Sequence, residues 1–405
     1  MLDLFSDSFV RDPYPWLDRL QVEAPVHYDP GTGLWLVSRY DDVRQVLLAP
    51  TLFHPDNALH AVTPLPVAAL RVLARAGFRL PSALANNGTP SHPGLRRTVT
   101  RFFNAERVAA AVPVIQRVAE DVLDAVRQEI DATGCCDLFG SFAQVLPCRV
   151  LMELLGVGGV TPATLIRWSD ASLELFWGRP AQGRQLELAE LVGEFYQWLS
   201  DAVRGDAAPP DSFIGALSFH RLPDGEPLDI ETAVAACFFV FIAGQSTTGQ
   251  LIATVLRRAL TEPGLWQQLP GRPGLAEAWV EEVLRREPPV TTWRRVAARS
   301  TELGGVSIPD GAQLLLMLLG SGSDPKVFPR PERMHPYRPN VRHHLAFGAG
   351  RRRCPGASLA RAEAAVALQV AASRLSGVRL EEGGSEPSML GLLSFRAPLD
   401  VTVSR

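Results

Sequence analysis

The residue whose surroundings most clearly indicate chemistry is Cys354, which lies in a glycine-rich stretch directly before a predicted helix. Gly348 and Gly350 precede it, and Gly356 follows it. A cysteine at a helix N-terminus experiences the positive end of the helix dipole and nearby amide N–H groups, which stabilise its thiolate. Glycines let the backbone turn tightly and approach a flat cofactor closely. A dinucleotide-binding loop is disfavoured because Arg353 occupies the third glycine position.

A second candidate lies in a long helical pattern, where Ala243 and Gly244 precede Thr247. A threonine in mid-helix can donate its hydroxyl hydrogen to the carbonyl four residues earlier, here that of Ala243, and so bend the helix. Gly244 removes side-chain bulk at the same place. Together these residues predict a groove large enough for dioxygen and water.

Glu282 and Arg285 are three residues apart in another predicted helix, which puts them on one face. Such a pair is most often solvated and contributes little to stability. A buried pair would need good geometry to offset the loss of solvation. The spacing by itself leaves both interpretations open.

The elements that must position these residues are mostly helical. Apolar residues recur at three- and four-residue intervals over residues 108–130, 184–205, 231–260 and 357–375. Strand patterns are short and lie near the ends of the chain. Two long segments, 54–92 and 320–353, look irregular and bracket the candidate chemistry. We expect a mainly α-helical protein with small β-sheets.

The composition argues against several classes of protein. Lys and Arg number 40 against 43 Asp and Glu, for a net charge of −3, so no basic excess suggests nucleic acid. The N-terminal residues lack the order of an export signal. The apolar run 233–244 is shorter than the ~20 residues of a membrane span. The five cysteines resemble neither a disulfide framework nor a zinc site. We expect a cytoplasmic protein that binds neither nucleic acid nor membrane.

The stretch FGAGRRRCPG, residues 347–356, resembles the haem-binding signature of cytochromes P-450, Phe-Gly-x-Gly-x-x-x-Cys-x-Gly. Similarity to this family covers nearly the whole chain, from DPYPWLDRL to SFRAPLDVTVS. The resemblance implies the cytochrome P-450 fold in one domain, residues 1–405, with haem b between two long helices and Cys354 as the iron ligand. Thiolate ligation donates electron density that favours O–O cleavage. The implied activity is therefore that of an oxidoreductase that activates dioxygen.

The resemblance also assigns residues that hold the haem and its loop. Glu282 and Arg285 match the family's Glu-x-x-Arg pair, and Arg338 matches the arginine that completes it and locks the cysteine loop. Donors to the haem propionates are implied at four positions, and Arg352 replaces the histidine of many bacterial members. The full cofactor-binding set comprises Cys354, His92, Arg96, Arg295, Arg352, Phe347, Gly348, Gly356, Glu282, Arg285 and Arg338.

The oxygen-handling helix departs from the family pattern. AGQST, residues 243–247, resembles Ala-Gly-x-acid-Thr, but Ser246 occupies the acidic position beside Gln245. A serine hydroxyl can pass a proton along but cannot supply one at neutral pH. Three hypotheses follow: proton delivery through Thr247, Ser246 and water; ordering of water by the substrate; or defective oxygen activation. The candidate catalytic residues are Thr247, Ser246, Gln245, Ala243 and Gly244.

Mapping from the family predicts a substrate pocket of aromatic, aliphatic and amide groups. Its candidate lining comprises Asn86, Phe176, Val290, Trp293, Leu392 and Leu393. Such a lining suits an extended aromatic or amide-bearing natural product. The segments AGQSTTG and LANNGTPSHPGLRR resemble members that tailor tryptophan-containing cyclodipeptides, which favours oxidative C–C or C–N coupling. Hydroxylation or epoxidation of a macrolide or terpenoid is the alternative, and a non-catalytic haem-thiolate sensor or scaffold is a third hypothesis.

The family resemblance further implies separate electron donors, a ferredoxin and its reductase. Arg351, Arg352, Arg353 and Arg361 form a candidate basic docking patch for an acidic ferredoxin, with a solvated run of charge as the alternative. A second departure is SGSDP, residues 321–325, where related proteins often read Asn-Arg-Asp-Pro. We expect its Gly and Ser to change how that loop packs.

Overall fold

The computed structural model describes residues 3–205, 212–222, 224–381 and 387–405, which fold into long helices and small sheets. The helices are α1 Asp7–Arg11, α2 Tyr14–Glu23, α3 Tyr40–Leu48, α4 Val67–Arg75, α5 His92–Thr100, α6 Ala105–Thr133, α7 Val145–Leu155, α8 Pro162–Trp177, α9 Gln182–Arg204, α10 Phe213–Ser218, α11 Ile230–Thr261, α12 Leu265–Gln268, α13 Leu275–Arg286, α14 Leu318–Ser321 and α15 Ala357–Arg374. The predicted mainly helical class is confirmed.

Within the described ranges the strands form four small sheets. Their bounds are β1 Val26–Asp29, β2 Leu34–Val37, β3 Phe53–His54, β4 Cys135–Asp137, β5 Trp293–Ala297, β6 Thr301–Leu303, β7 Val306–Ile308, β8 Gln313–Leu316, β9 Arg379–Leu380, β10 Met389–Gly391, β11 Arg396–Pro398 and β12 Thr402–Ser404. The largest sheet has the order β1-β2-β8-β5-β3, and β2 pairs with β8 in parallel. The other sheets are β4-β12-β9 and the hairpins β10-β11 and β6-β7.

The helix α11 runs through the centre of the protein. Asp229 caps its N-terminus by accepting a hydrogen bond from the backbone N–H of Thr232 at 2.7 Å. The helix packs against α7, α8, α9 and α15, and its side chains are buried on nearly every face. A helix that is apolar all round is typical of a protein core. Among the described residues it alone is long and apolar enough to cross a membrane, yet 56% of its most apolar window is buried in the protein.

The two segments predicted to be irregular differ in structure. Residues 54–92 contain α4, whose Ala69 and Leu73 are buried one turn apart. Pro66 and Gly77 flank this helix, so its short amphipathic pattern lies between two residues that interrupt helices. Residues 322–353 contain only two short 3-10 turns besides their loops. Side-chain contacts must therefore hold this second segment in place.

The loop after α14 lies unusually close to the C-terminus of α13. A Cβ atom added at Gly322 would lie 2.0 Å from the carbonyl oxygen of Arg285. The carbonyl of Gly322 accepts a hydrogen bond from Arg285 Nη1 at 2.6 Å, and Arg286 Nη1 donates to Ser323 Oγ at 2.8 Å. The Gly-Ser departure from the family pattern is what permits this close approach.

We predict that Gly322→Ala destabilises the protein, because its Cβ must push the loop away from α13. Overpacking of this kind costs about 1–3 kcal/mol. Gly183→Ala is the matched control, since a Cβ at that position in α9 meets nothing within 4 Å. Urea unfolding measures both variants. Equal midpoints for the two variants would contradict the steric explanation.

Candidate cofactor and oxygen-activation site

A large cavity, here called the central cavity, lies between α11 and the loop that carries Cys354 into α15. It encloses about 1690 Å³ of space, including its opening to solvent. Most of its walls are apolar. The residues that line it include His92, Arg96, Trp177, Ala243, Gly244, Thr247, Val290, Trp293, Arg295, Phe347, Gly348, Arg352, Cys354, Gly356, Glu363 and Phe395.

The thiol of Cys354 faces the central cavity from a tightly turned loop. Gly348 and Gly350 adopt φ values of 68° and 65°, the left-handed region that favours glycine. The backbone N–H of Cys354 donates to the carbonyl of Phe347 at 2.9 Å. Burial raises the pKa of the Cys354 thiol, while the N–H of Gly356 and nearby arginines act in the opposite direction. A bound metal cation would favour the thiolate form.

Four cationic or hydrogen-bonding side chains line the same cavity without a carboxylate partner among the described residues. They are His92 and Arg96, one turn apart on α5, with Arg295 on β5 and Arg352 beside the cysteine loop. Burial, reinforced by neighbouring arginines, lowers the pKa of His92 to about 4. Burial likewise lowers the pKa values of Arg295 and Arg352 to about 10. This wall is electrostatically unfavourable alone and suits a ligand with anionic groups.

The fit to haem rests on the atoms that these side chains leave unused. Two nitrogens of Arg352, Nε and Nη1, are buried and have no hydrogen-bond partner among the described residues. The Nη1 of Arg295 donates only to the carbonyl of its neighbour Arg294, at 2.7 Å. A thiol on one face, free cationic donors at the edge and glycines beneath the sulfur match a flat, iron-bearing dicarboxylate. The residues present therefore fit haem b.

The pair Glu282 and Arg285 is fully buried and joined by Arg338. Arg285 donates to both carboxylate oxygens of Glu282 at 2.7 and 2.9 Å, and Arg338 Nε lies 3.2 Å from both. The remaining donors of the two arginines bind the carbonyls of Gly322, Pro331, Pro329, Arg330 and Arg333. The network thus ties the irregular segment before the cysteine loop to α13.

A second ion pair fixes the other side of the cysteine loop. Arg361 on α15 donates to both oxygens of Glu281 at 2.7 and 2.8 Å, and its guanidinium lies 4.5 Å from the ring centre of Phe347. Burial would raise the pKa of Glu281, but His344 and Arg361 outweigh it and lower the pKa to about 2. Arg361 is therefore not available for the predicted docking patch.

Arg352 also leaves that patch, because its side chain faces the central cavity. Of the four arginines proposed for docking, Arg351 and Arg353 are exposed and form no ion pair with any other described residue. A smaller basic surface remains beside the cysteine loop.

The five candidate catalytic residues divide between two faces of α11. Ala243, Gly244 and Thr247 line the central cavity, and Thr247 Oγ1 donates to the carbonyl of Ala243 at 2.6 Å. Gln245 and Ser246 instead face α8 and do not line the cavity. Gln245 Nε2 donates to the backbone carbonyl of Leu165 at 3.2 Å, so its amide binds the protein's own backbone.

Two acidic residues that the sequence motifs did not identify lie close to this site. Asp170 on α8 accepts hydrogen bonds from Ser246 at 3.5 Å and from Gln144 at 3.0 Å. Glu363 on α15 lines the cavity, and burial raises its pKa well above the usual value. Asp170 belongs to no local sequence motif, because its partners Ser246 and Gln144 lie in other parts of the chain.

Two of the six predicted substrate contacts, Val290 and Trp293, line the central cavity. Asn86 does not, because both ends of its amide bind the backbone of its own loop, at Ala83 and Pro81. Its polarity stabilises the loop and is not presented to a substrate.

The other three predicted contacts also lie away from the central cavity. Phe176 stacks with Phe78 at 5.9 Å in an aromatic cluster. Leu392 and Leu393 line a smaller pocket near α1 and α2. The cavity is instead bordered by Trp177 and Phe395, whose rings meet edge to face at 5.3 Å.

A cavity with a thiol below, cationic donors at its edge and an open groove in the helix above defines a haem-thiolate, oxygen-activating class of protein. Comparison with known proteins gives the family. The cytochrome P-450 family model matches residues 187–375. The chain is 33% identical to the cytochrome P-450 monooxygenase PikC of Streptomyces venezuelae, over 95% of this chain and 90% of PikC. It is 32% identical to the mycinamicin IV hydroxylase/epoxidase of Micromonospora griseorubida, over 92% and 90% of the two chains.

Solved structures agree with this assignment. The structure of cytochrome P-450 CREJ in complex with (4-ethylphenyl) dihydrogen phosphate is 27% identical, with a TM-score of 0.90 over 98% of this chain and 97% of that one. The chain therefore belongs to the cytochrome P-450 family. It is a P-450 monooxygenase whose cofactor is haem b.

We predict that Glu282→Gln destabilises the protein strongly, because it leaves two buried guanidinium groups without their counter-charge. Breaking a buried ion pair in this way costs about 3–5 kcal/mol. The exposed Glu332→Gln, in the neighbouring loop, is the matched control. Thermal unfolding and haem retention after gel filtration measure the effect. A haem-loaded Glu282→Gln protein with the control's melting temperature would contradict it.

Proposed function

We propose that Cys354 ligates the haem iron and that the protein hydroxylates or epoxidises a bulky, largely apolar natural product such as a macrolide-like lactone. The observation that carries this proposal is the thiol-faced central cavity beneath the groove at Thr247. Haem, when bound, supplies the activation of dioxygen. One dioxygen, two electrons and two protons then yield the oxygenated substrate and one water.

The protein's own residues hold the cofactor and leave room for the reaction. His92, Arg96, Arg295 and Arg352 donate to the haem propionates, which supply the negative charge that this wall lacks. The groove at Thr247 accommodates dioxygen and water, because its neighbours are small and its hydroxyl is held by a backbone carbonyl.

The substrate class is inferred from a buried donor on a residue that lines the cavity. Trp177 is 3% exposed, and its indole N–H has no partner among the described residues. A buried indole N–H usually finds an acceptor, and a lactone or ketone carbonyl on the substrate would supply one. The amide of Asn86, which suggested an amide-bearing substrate, binds the protein's own backbone instead, as do the amides of Asn87 and Gln245. These contacts support an apolar molecule with a carbonyl.

Two relatives support large, mostly apolar substrates by their names. One is the mycinamicin IV hydroxylase/epoxidase described above. The other is the vitamin D(3) 25-hydroxylase of Pseudonocardia autotrophica, which is 30% identical over 90% of this chain. Both are named for hydroxylation, which favours return of oxygen to the substrate over coupling.

A second candidate is oxidative coupling of tryptophan-containing cyclodipeptides. The aromatic border of the cavity favours it, because Trp177, Trp293 and Phe395 offer ring surfaces to an aromatic substrate. A cyclodipeptide carbonyl would also accept from Trp177. Coupling removes two substrate hydrogens and reduces dioxygen, with two electrons and two protons, to two waters.

We further propose that a ferredoxin and its reductase supply the electrons in the cytoplasm. The exposed Arg351 and Arg353 beside the cysteine loop support docking of an acidic partner on that side.

A spectral titration tests both the haem ligand and the substrate. We expect a thiolate-type Soret band for the reduced, carbon-monoxide-bound protein, lost in Cys354→Ser. In the ferric protein, macrolide lactones should displace the iron-bound water more tightly than cyclodipeptides, terpenoids or fatty acids. Trp177→Phe should weaken lactone binding by roughly 5- to 10-fold, the value of one hydrogen bond. Trp168→Phe, outside the cavity, is the control.

Either of two outcomes would count against these proposals. A carbon monoxide spectrum without the thiolate band would remove the assignment of Cys354. Tighter binding of cyclodipeptides than of lactones would replace hydroxylation by coupling as the better candidate.

The docking proposal predicts that the double variant Arg351→Gln/Arg353→Gln slows reduction by an acidic ferredoxin, roughly 3- to 10-fold at low ionic strength. Arg71→Gln/Arg75→Gln removes the same charge from α4 and is the control. Stopped-flow reduction at several salt concentrations measures both. The same salt dependence in the two double variants would contradict docking at this surface.

A further inference from the structure

Ser246 occupies the family's acidic position, yet it contacts an acid on another helix. Its hydroxyl donates to Asp170 Oδ1 on α8 at 3.5 Å. Gln144 Nε2 donates to the other carboxylate oxygen at 3.0 Å. Within the described ranges no Arg, Lys or His forms an ion pair with Asp170. This carboxyl is thus held by two neutral donors only.

The surroundings of Asp170 favour its protonated form more than those of a surface acid. Burial raises its pKa to about 6, against smaller opposing effects of Gln144 and Ser246. The facing stretch of α11, residues 242–250, has no ionisable side chain. On α7, burial raises the pKa of Cys148 to about 12, so that thiol stays neutral. On α9, Glu194 lies 3.9 Å from Arg167 of α8.

We propose that Asp170 holds and delivers the proton that the family's acidic residue on the oxygen-handling helix would deliver. The acid of the relay then lies on α8, and the hydroxyl that it contacts lies on α11. Asp170 passes a proton to Ser246 Oγ as Ser246 passes its own towards water beside Thr247. Since Asp170 is only half-buried, solvent restores its proton. This inference rests on the proposed roles of Cys354 and Thr247.

The contact between α8 and α11 offers further groups for such a path. Gln245 Nε2 binds the carbonyl of Leu165, while its Oε1 is buried and has no partner among the described residues. Ser169, one turn after Leu165 on α8, has a buried hydroxyl that likewise has none. Buried polar atoms of this kind normally bind protein or water. Water at this contact between α8 and α11 would find hydrogen-bond partners in both.

The overall reaction balances with this route. One dioxygen takes two electrons from the ferredoxin and two protons from solvent, inserts one oxygen atom into a C–H bond and releases the other as water. Asp170 is regenerated in each cycle and is neither oxidised nor consumed. Without the relay, dioxygen that receives two electrons leaves as hydrogen peroxide more often.

The first test measures the proton on Asp170 without turnover. Difference infrared spectra of the haem-loaded protein should show a protonated-carboxyl band that titrates with a midpoint of about 6 and is absent in Asp170→Asn. The matched control is Glu174→Gln, one turn later on α8, where the carboxylate binds Arg184 in solvent. It should keep the band. A band with this midpoint that persists in Asp170→Asn would remove Asp170 as the proton holder, whereas a band from Glu363, whose pKa burial raises, would be present in every variant.

The dependence of stability on pH gives an independent readout. The pKa of Asp170 in the folded protein lies above its usual 3.8, so the folded state binds this proton more tightly than the unfolded state does. Wild-type stability should therefore fall, relative to Asp170→Asn, as pH rises from 4 through about 6. The difference in stability between the wild type and Glu174→Gln should not change over this pH range. A difference between wild type and Asp170→Asn that does not change with pH would contradict the shift.

The second test follows electrons without a substrate, with NADPH, a ferredoxin and its reductase as the donor system. Asp170→Asn and Ser246→Ala should each raise several-fold the fraction of electrons recovered as hydrogen peroxide. The double variant should do no more than either single one, since both break one path. Asp170→Asn/Ser246→Asp restores an acid at the family position and should return the fraction towards wild type.

The outcomes separate this inference from the proposed function. If Asp170→Asn keeps the thiolate-type carbon monoxide spectrum but forms no more peroxide than Glu174→Gln, the role of Asp170 is wrong and the haem-thiolate assignment stands. If the wild-type protein itself lacks that spectrum, the proposed function fails first.

Discussion

The buried carboxylate of Glu282 is the interaction on which the cofactor site depends. Glu282 and Arg285 are both 0% exposed, and Arg338 is 8% exposed, so one buried carboxylate serves two buried guanidinium groups. Removing one partner would leave an uncompensated charge in the interior, which is far more costly than never burying the group. The two arginines donate their remaining hydrogen bonds to backbone carbonyls of residues 322–333, a segment without helix or strand. The path of the chain into the cysteine loop is therefore set by charge compensation, where regular structure is absent.

The central cavity has the opposite electrostatic character. Its cationic wall has no carboxylate partner among the described residues, and burial raises the pKa of Glu363, the acid that lines the cavity. With the proposed ligation, iron would balance the sulfur of Cys354 and the haem carboxylates would balance the arginines, so one cofactor would relieve both costs. Binding that is available only to the folded state stabilises that state. Glu282 finds its hydrogen-bond partners within the protein, whereas the donors that line the cavity would find theirs on haem.

Local patterns predicted the features that depend on local geometry. The spacing of apolar residues correctly predicted α6, α9, α11 and α15. The Glu-x-x-Arg spacing correctly predicted that Glu282 and Arg285 share one face of a helix. The pocket was predicted less well, because Asn86 or Leu392 can serve the protein's own packing as readily as a substrate. Adjacent residues of a helix point ~100° apart, so Thr247 lines the cavity while Ser246 meets α8. Only the packing of α8 on α11 decides such a difference, and no local motif contains it.

The acidic position of the oxygen-handling helix shows why a linear motif is an incomplete description of a proton relay. Proton transfer requires a hydrogen-bonded path and a suitable pKa, not neighbours in the chain, and Asp170 lies 76 residues from Ser246. Moving the acid to α8 has a mechanical consequence. Trp177 borders the cavity about two turns further along that same helix. A displacement of α8 by substrate would therefore change the Asp170–Ser246 contact as well, which an acid carried on α11 would not experience.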